Sequence, residues 1–313
     1  ATATRSLSFE YRLDGDSFLI VRLLNLGDND SGGGGDAILL TDSAAATQAH
    51  MLVDAGPAGE GGSDPGYVSR RLTELGVTAL EAVILTHAHG DHYLGMGDVF
   101  DEIPVGTFFY NGQIRNLNSY NTVVGKGQAR ADATIVPESV ETFPLVFGGA
   151  TQVSVIPPLP DFLADSGAES SELNDGSVGA LVERGTFRMY LTGDGEVRAN
   201  SRWRTTYASY TTELDVLKVG HHGANDAIFD NGFSGASSWL DHGDPDVHVI
   251  SANGTSHPRI NALTRLLGRS NTRTYCTNVH GEITLRISPS GAYVVTAEKN
   301  ESMDCVPGSA ATT

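Results

Sequence analysis

Apolar positions recur along the chain in short runs that predict strands. In the first half these runs lie at residues 7–13, 18–26, 37–41, 51–54 and 82–85. In the second half they lie at 152–156, 178–183, 187–191, 214–219, 247–251, 272–276, 282–287 and 292–296. Alternating or wholly apolar runs of this length are typical of half-buried or fully buried strands. The runs at 178–183 and 187–191 flank Arg184-Gly185, which predicts a hairpin.

Other segments predict helices or loops between these strands. The pattern favours helices at 64–75, 196–210, 225–240 and 259–267, and loops at 27–35 and 157–176. An asparagine-rich segment at 111–121 is predicted to be a loop or lid. Strands and helices interleave in both halves, which indicates an α/β protein with two sheets covered by helices, a four-layered α/β/β/α sandwich.

Composition is compatible with one large folded domain, which we expect to comprise residues 1–313. Of the 313 residues, 40% are hydrophobic, enough for a buried core. Acidic residues outnumber basic ones 38 to 20, and a net charge of −18 repels duplex DNA at long range. The longest apolar run is too short for a membrane-spanning helix.

The termini and the cysteines bear on the compartment of the protein. The chain begins Ala1-Thr2-Ala3, as a processed secreted or periplasmic protein or a trimmed cytoplasmic one would. Cys276 and Cys305 are too few for a disulfide scaffold or a zinc ribbon. A single bridge between them and two free thiols are both compatible with the sequence.

The strongest chemical signal is the segment Thr86–His92, which follows the predicted strand at 82–85. Residues two apart on an extended segment face the same way, so His87 and His89 can bind one ion. After the turn at Gly90, Asp91 and His92 can bind a second one. Imidazole and carboxylate ligands suit Zn²⁺, with Mn²⁺ or Fe²⁺ as alternatives.

Three further polar groups follow apolar strands in the second half. Asp194 comes after the strand at 187–191 and can bridge two ions, although an aspartate there can also cap a helix. His221 and His222 follow the strand at 214–219, so one can ligate metal while the other contacts substrate or transfers a proton. His257 follows the strand at 247–251. Because all of these lie at carboxyl ends of strands, one edge of the sheets can gather them.

These motifs resemble the metallo-β-lactamase superfamily of binuclear metallohydrolases. The segments around Asp36, Asp54, Asn174–Ser177, Leu217–Gly223 and Ser256–Pro258 are similar to the hydrolase domain of ComEC-type competence proteins, a type shared with bacterial phosphorylcholine esterases. The resemblance covers about residues 17–297. It implies that His87 and His89 hold a first metal, that Asp91, His92 and His222 hold a second, and that Asp194 bridges them.

The resemblance leaves some roles open. Asp91, His221 and His257 are the candidate catalytic residues, and His257 competes with His222 as the last metal ligand. Many superfamily members have a further histidine before the bridging aspartate, but the chain has none from Tyr93 to Gly193. Asn174, Asp175 or Ser177 falls where that ligand would be, so the first metal either has too few ligands and is weakly held or is completed by Asp175 and water.

Together these features predict a metal-dependent phosphodiesterase. Two divalent ions activate a shared water and offset the acidic surface at short range. A nuclease and a small headgroup esterase both fit this class. Arg198, Arg202 and Arg204, near Trp203, can supply part of a nucleic-acid groove or simply form a solvated helix face. The alternative reactions are β-lactam or lactone opening, and a non-enzymatic binding protein is a third hypothesis.

Overall fold

The computed structural model describes residues 17–27, 34–43, 48–57, 66–145, 150–158 and 170–306. The predicted strand at 7–13 and most of the predicted loop at 27–35 lie outside these residues. None of the helices within these ranges is both long and apolar enough to cross a membrane.

The described residues form two mixed sheets. The eight-stranded sheet has the order β15-β14-β1-β2-β3-β4-β5-β6, and the seven-stranded sheet has the order β13-β12-β11-β10-β9-β8-β7. The strands of the first sheet are β1 Leu19–Leu23, β2 Ile38–Asp42, β3 Ala49–Val53, β4 Leu80–Leu85, β5 Val105–Tyr110, β6 Ala131–Ile135, β14 Ile283–Ile287 and β15 Tyr293–Ala297. Those of the second are β7 Glu141–Pro144, β8 Thr151–Ile156, β9 Gly179–Arg184, β10 Phe187–Leu191, β11 Val216–Lys218, β12 Val247–Ile250 and β13 Arg273–Cys276.

Helices cover the outer faces of both sheets. They are α1 Tyr67–Glu74, α2 Gly90–Tyr93, α3 Met96–Glu102, α4 Asn118–Arg130, α5 Ser170–Asp175, α6 Val197–Thr206, α7 Ala208–Thr211, α8 Ser238–Gly243, α9 Ile260–Leu267 and α10 Thr277–His280, with a 3₁₀ turn at His221–Gly223. One apolar core lies between the sheets, and one more lies outside each sheet, under its helices. The predicted α/β/β/α sandwich is confirmed.

Strand burial explains why apolar runs in the sequence predicted the strands. Five of the six residues in β4 are buried, with only Glu81 exposed, because helices cover one face and the other sheet covers the opposite face. The predicted hairpin is confirmed, since β9 and β10 pair antiparallel across Gly185, whose φ is +58°. Cys276 and Cys305 are disulfide-bonded, with 5.4 Å between their Cα atoms.

Three element predictions were wrong in part. The predicted helix at 225–240 is mostly turns, and only α8 from Ser238 is helical. Asn231 Oδ1 accepts from the backbone N–H groups of Phe233 and Ser234, and the glycines at 232 and 235 have positive φ, so local polar turns replace the helix. The predicted lid at 111–121 ends early because α4 begins at Asn118, and the predicted loop at 157–176 contains α5.

Candidate metal centre

The site forms where parallel strands of both sheets end. The segment Thr86–His92 follows β4, which is parallel to β3 and β5. Asp194, His221-His222 and His257 follow β10, β11 and β12, three neighbouring parallel strands of the second sheet. Because parallel strands present their carboxyl ends at the same edge, the fold gathers segments that are far apart in the chain.

The first group of ligand atoms comes from the two-residue histidine repeat. His87 Nε2 lies 3.0 Å from His89 Nδ1 and 3.8 Å from Asp194 Oδ2. Two nitrogens bound about 2.05 Å from one tetrahedral ion lie roughly 3.3 Å apart. The spacing of His87 and His89 is close to that of two ligands of one ion, although the groups of close ligand atoms among the described residues place His87 with His92 and Asp194 and do not include His89.

The second group lies on the other side of Asp194. His92 Nε2 and His222 Nε2 are 3.2 Å and 3.3 Å from Asp194 Oδ2. Asp91 Oδ2 is 3.3 Å from His222 Nε2. One carboxylate oxygen of Asp194 therefore contacts nitrogens of both groups, which is the geometry that a bridging ligand requires.

Hydrogen bonds fix which nitrogen of each imidazole faces the group. His92 Nδ1 donates to Asp54 Oδ2 at 2.8 Å, and Asp54 also accepts from the Thr86 backbone N–H and hydroxyl. His222 Nδ1 donates to the Ser251 carbonyl at 2.8 Å. Both histidines are thereby held with Nε2 toward Asp194, an arrangement typical of metal-ligating histidines.

The unpaired atoms of this cluster fit a pair of divalent ions. Within the described ranges, His92 Nε2, His222 Nε2 and Asp194 Oδ1 are buried, and although the two nitrogens contact Asp194 Oδ2, none of the three atoms makes a hydrogen bond of good geometry. Buried polar atoms are nearly always paired, so unpaired ones that converge indicate a missing partner. The donor set is three or more imidazoles with carboxylates, which suits zinc, iron or manganese and leaves the identity of the metal open.

The pKa shifts of the cluster also indicate a site that favours bound positive charge. Burial by itself would lower the pKa of His222, but the carboxylates of Asp194 and Asp91 raise it to about 9. Burial opposes ionisation of Asp194 as well, yet His222 and His92 hold its pKa well below the ordinary value. The carboxylates thus favour protonation of the imidazoles. Divalent ions bound to the same atoms would replace those protons and supply the positive charge.

Lys218, which the sequence patterns did not assign to the metal site, lies beneath the cluster. Lys218 is fully buried, pairs with Asp36, and donates from Nζ to the Gly193 carbonyl at 3.0 Å. Its Nζ is 3.9 Å from Asp194 Oδ1. The signal was present in the sequence, since Lys218 ends an apolar strand, and Asp36 and Asp54 adjoin apolar strands where a charge is costly.

The Asn174–Ser177 segment holds the turn that carries Asp194. Ser177 Oγ accepts from the Asp194 backbone N–H at 3.2 Å, and Asn174 Nδ2 donates to Glu196 Oε1 at 2.6 Å. Asp175 Oδ1 accepts from the backbone N–H groups of Glu196 and Ala199, at 3.1 Å and 2.9 Å. Asp175 therefore caps the start of α6 and lies outside the groups of close ligand atoms, contrary to the expectation that it completes the first metal site.

We expect Asp175 to give a distinctive pH dependence of stability. Burial raises its pKa from 3.8 to about 6. The folded protein then binds this proton at a higher pH than the unfolded chain, so the free energy of unfolding rises as pH falls from about 6 to about 4. Relative to Asp175→Asn, wild type should gain on the order of 3 kcal/mol between pH 7 and pH 4, measured by urea unfolding. Parallel pH curves for the two proteins would contradict this.

His221 and His257 lie beside the cluster rather than in it. His221 Nδ1 is 2.9 Å from Glu196 Oε1 and 3.3 Å from Asp226 Oδ1. Burial would lower the pKa of His221, but hydrogen bonds to Asp226 and Glu196 raise it to about 10. The His257 ring centroid is 5.2 Å from that of His221, and burial together with His222 and His221 lowers the pKa of His257 to about 3. Of His222 and His257, only His222 belongs to the groups of close ligand atoms among the described residues.

The remaining histidines are engaged elsewhere in the described structure. His50 contacts Thr41, His242 contacts Thr211 and His248 contacts Thr274, while His280 bonds to backbone groups. These contacts account for the four side chains within the described residues.

Comparison with known proteins bears on the fold and on the segment that carries the histidine motif. Residues 31–119 match the model of the metallo-beta-lactamase superfamily. The chain is 25% identical over 229 residues to ComE operon protein 3 of Bacillus subtilis (strain 168), a match that covers 69% of this chain and 26% of that protein. The chain thus spans about a quarter of the length of this curated relative.

A solved structure has a similar fold. CmlA, a diiron beta-hydroxylase from Streptomyces venezuelae, matches with a TM-score of 0.54 and 15% identity, over 87% of this chain and 54% of CmlA. This likeness concerns the fold, and a fold does not by itself identify the reaction. Fold and motif together confirm the resemblance: the chain has the metallo-β-lactamase fold, and the part that carries its histidine motif matches the superfamily of metal-dependent hydrolases.

Proposed function

We propose that this protein is a metal-dependent phosphodiesterase with two divalent ions. The observation that carries the proposal is the contact of Asp194 Oδ2 with His92, His222 and His87, at 3.2, 3.3 and 3.8 Å. We assign His87, His89 and Asp194 to the first ion, and Asp91, His92, His222 and Asp194 to the second. Such a pair, when bound, supplies an activated water and stabilises the charge of the transition state.

The chain's own residues favour an anionic substrate. Arg115 is half-buried and donates to the Ala88 carbonyl at 3.3 Å, which fixes a cation beside the histidine repeat. His221 offers a second donor beside the cluster, with its ring centroid 6.2 Å from that of His222. A phosphodiester complements these two groups better than a neutral lactone does, because a neutral ring has no charge for Arg115 to bind.

The structure argues against the nucleic-acid groove suggested around α6. Trp203 is 1% exposed and packs between Tyr190 and Trp239, so its faces cannot stack on bases. Arg202 is engaged by the Pro158 carbonyl and the Tyr207 hydroxyl. We therefore favour a compact phosphodiester over a long nucleic acid, which predicts a shallow dependence of substrate binding on salt.

Hydrolysis of bis(4-nitrophenyl) phosphate tests the proposal. We expect metal-loaded wild type to hydrolyse it, and His89→Ala to lose at least about 100-fold in kcat, because the first ion loses one of its ligands. His242→Ala, whose imidazole lies away from the cluster, is the matched control and should keep wild-type activity. Wild type that is inactive on the diester but opens a chromogenic β-lactam would replace this function with the lactamase alternative.

A further inference from the structure

His221 is held by one nitrogen between two carboxylates. Its Nδ1 lies 2.9 Å from Glu196 Oε1 and 3.3 Å from Asp226 Oδ1. Carboxylate oxygens only accept hydrogen bonds, so Nδ1 is the donor. The side chain nevertheless keeps 26% of its surface exposed. Because Nδ1 faces the two carboxylates, Nε2 is the ring nitrogen that remains to meet a substrate.

Glu196 is itself held by two further residues. It is 5% exposed, Asn174 Nδ2 donates to its Oε1 at 2.6 Å, and Asp175 accepts from its backbone N–H at 3.1 Å. It is two residues from Asp194, on the turn that the Asn174–Ser177 segment holds. The Asn174–Ser177 segment therefore positions both Asp194, the proposed bridging ligand, and Glu196, the partner of His221.

A purely structural role explains this arrangement poorly. A buried carboxylate costs free energy that an apolar side chain of similar size avoids. Here the cost is incurred at the rim of the proposed metal centre, where the carboxylate's two side-chain partners are an amide and an imidazole. An oriented carboxylate–imidazole pair is the usual way in which proteins fix the direction of a proton-donating histidine.

We propose that Glu196 is a positioning residue that sets His221 with Nε2 toward the leaving oxygen of the substrate, with Asp226 as its auxiliary. This inference rests on the proposed phosphodiesterase function. In the reaction, the oxygen of water forms the new P–O bond and the P–O bond to the leaving group breaks. His221 Nε2 gives its proton to the leaving oxygen, and the proton released from water restores the histidine, so the products are a phosphomonoester and an alcohol.

The test compares leaving groups in wild type, Glu196→Gln and the control Glu81→Gln, whose side chain is exposed on β4. A nitrophenolate leaves without a proton, so Glu196→Gln should lose less than about 5-fold in kcat on bis(4-nitrophenyl) phosphate. On methyl phenyl phosphate, where methanol or phenol must leave, it should lose about 100-fold or more in kcat with KM nearly unchanged. Glu81→Gln should match wild type on both substrates.

Two further measurements separate this role from a structural or metal-binding one. Glu196→Gln should keep the metal content of wild type, because Glu196 positions His221 and holds no ion. The downfield proton resonance of the His221 Nδ1–H, identified by its loss in His221→Ala, should shift in Glu196→Gln and stay unchanged in Glu81→Gln. Equal losses on both substrates, or loss of a bound metal, would overturn the inference while leaving the phosphodiesterase function intact. Wild type inactive on both diesters would instead overturn the function, and the inference with it.

Discussion

Asp194→Asn should bind neither metal tightly and should lose at least about 1,000-fold in kcat on a phosphodiester. Its Oδ2 contacts histidine nitrogens of both ligand groups, and its Oδ1 is buried without a hydrogen-bond partner. An amide offers one neutral oxygen in place of two charged ones, so both sites lose a ligand and the shared negative charge at once. Elemental analysis after gel filtration and steady-state kinetics measure the two effects.

Asp91→Asn provides the informative comparison. Asp91 contacts His222, in the second group, so this variant should retain about one metal per chain where wild type retains about two. Asp132→Asn, an exposed aspartate on the edge strand β6, should behave as wild type. If Asp194→Asn kept both metals, the assignment of Asp194 as the bridging ligand would be wrong.

The layered fold and the first motif were predictable because each depends on local signals. β4 and β9 are almost wholly buried, so their apolar runs mark them as strands, and the histidine repeat stands directly after one of them. The parallel arrangement of β10, β11 and β12 then brings the later polar groups to one edge. Strand ends were thus sufficient to suggest which segments converge.

Roles that depend on side-chain direction were not predictable in this way. Asn174 and Asp175 are neighbours near the expected position of a metal ligand, but their side chains bind the Glu196 side chain and backbone. Glu196 follows Asp194 closely and carries no motif of its own. Its importance depends on its distance from His221, 25 residues later, which only the packing of β10 beside β11 sets.

The buried pair of Lys218 and Asp36 links the two sheets beneath the site. Lys218 ends β11 and shares the inward face with Val216, which belongs to the core between the sheets. Asp36 precedes β2 of the opposite sheet, and both side chains are at most 1% exposed. Removing one partner of such a pair leaves a buried charge uncompensated, whereas removing both charges is far less costly.

Lys218→Met should therefore destabilise the metal-free protein by about 3–5 kcal/mol, because Asp36 loses its partner in a buried environment. Lys218→Met/Asp36→Asn should recover a large part of this loss, so the two substitutions should be strongly non-additive in a double-mutant cycle. Urea unfolding of the four proteins measures the coupling. Lys126→Met is the matched control, because Lys126 pairs with Asp101 at the surface and should change stability little. Additive effects in the cycle would show that the Lys218–Asp36 contact does not hold the two sheets together at the proposed metal centre.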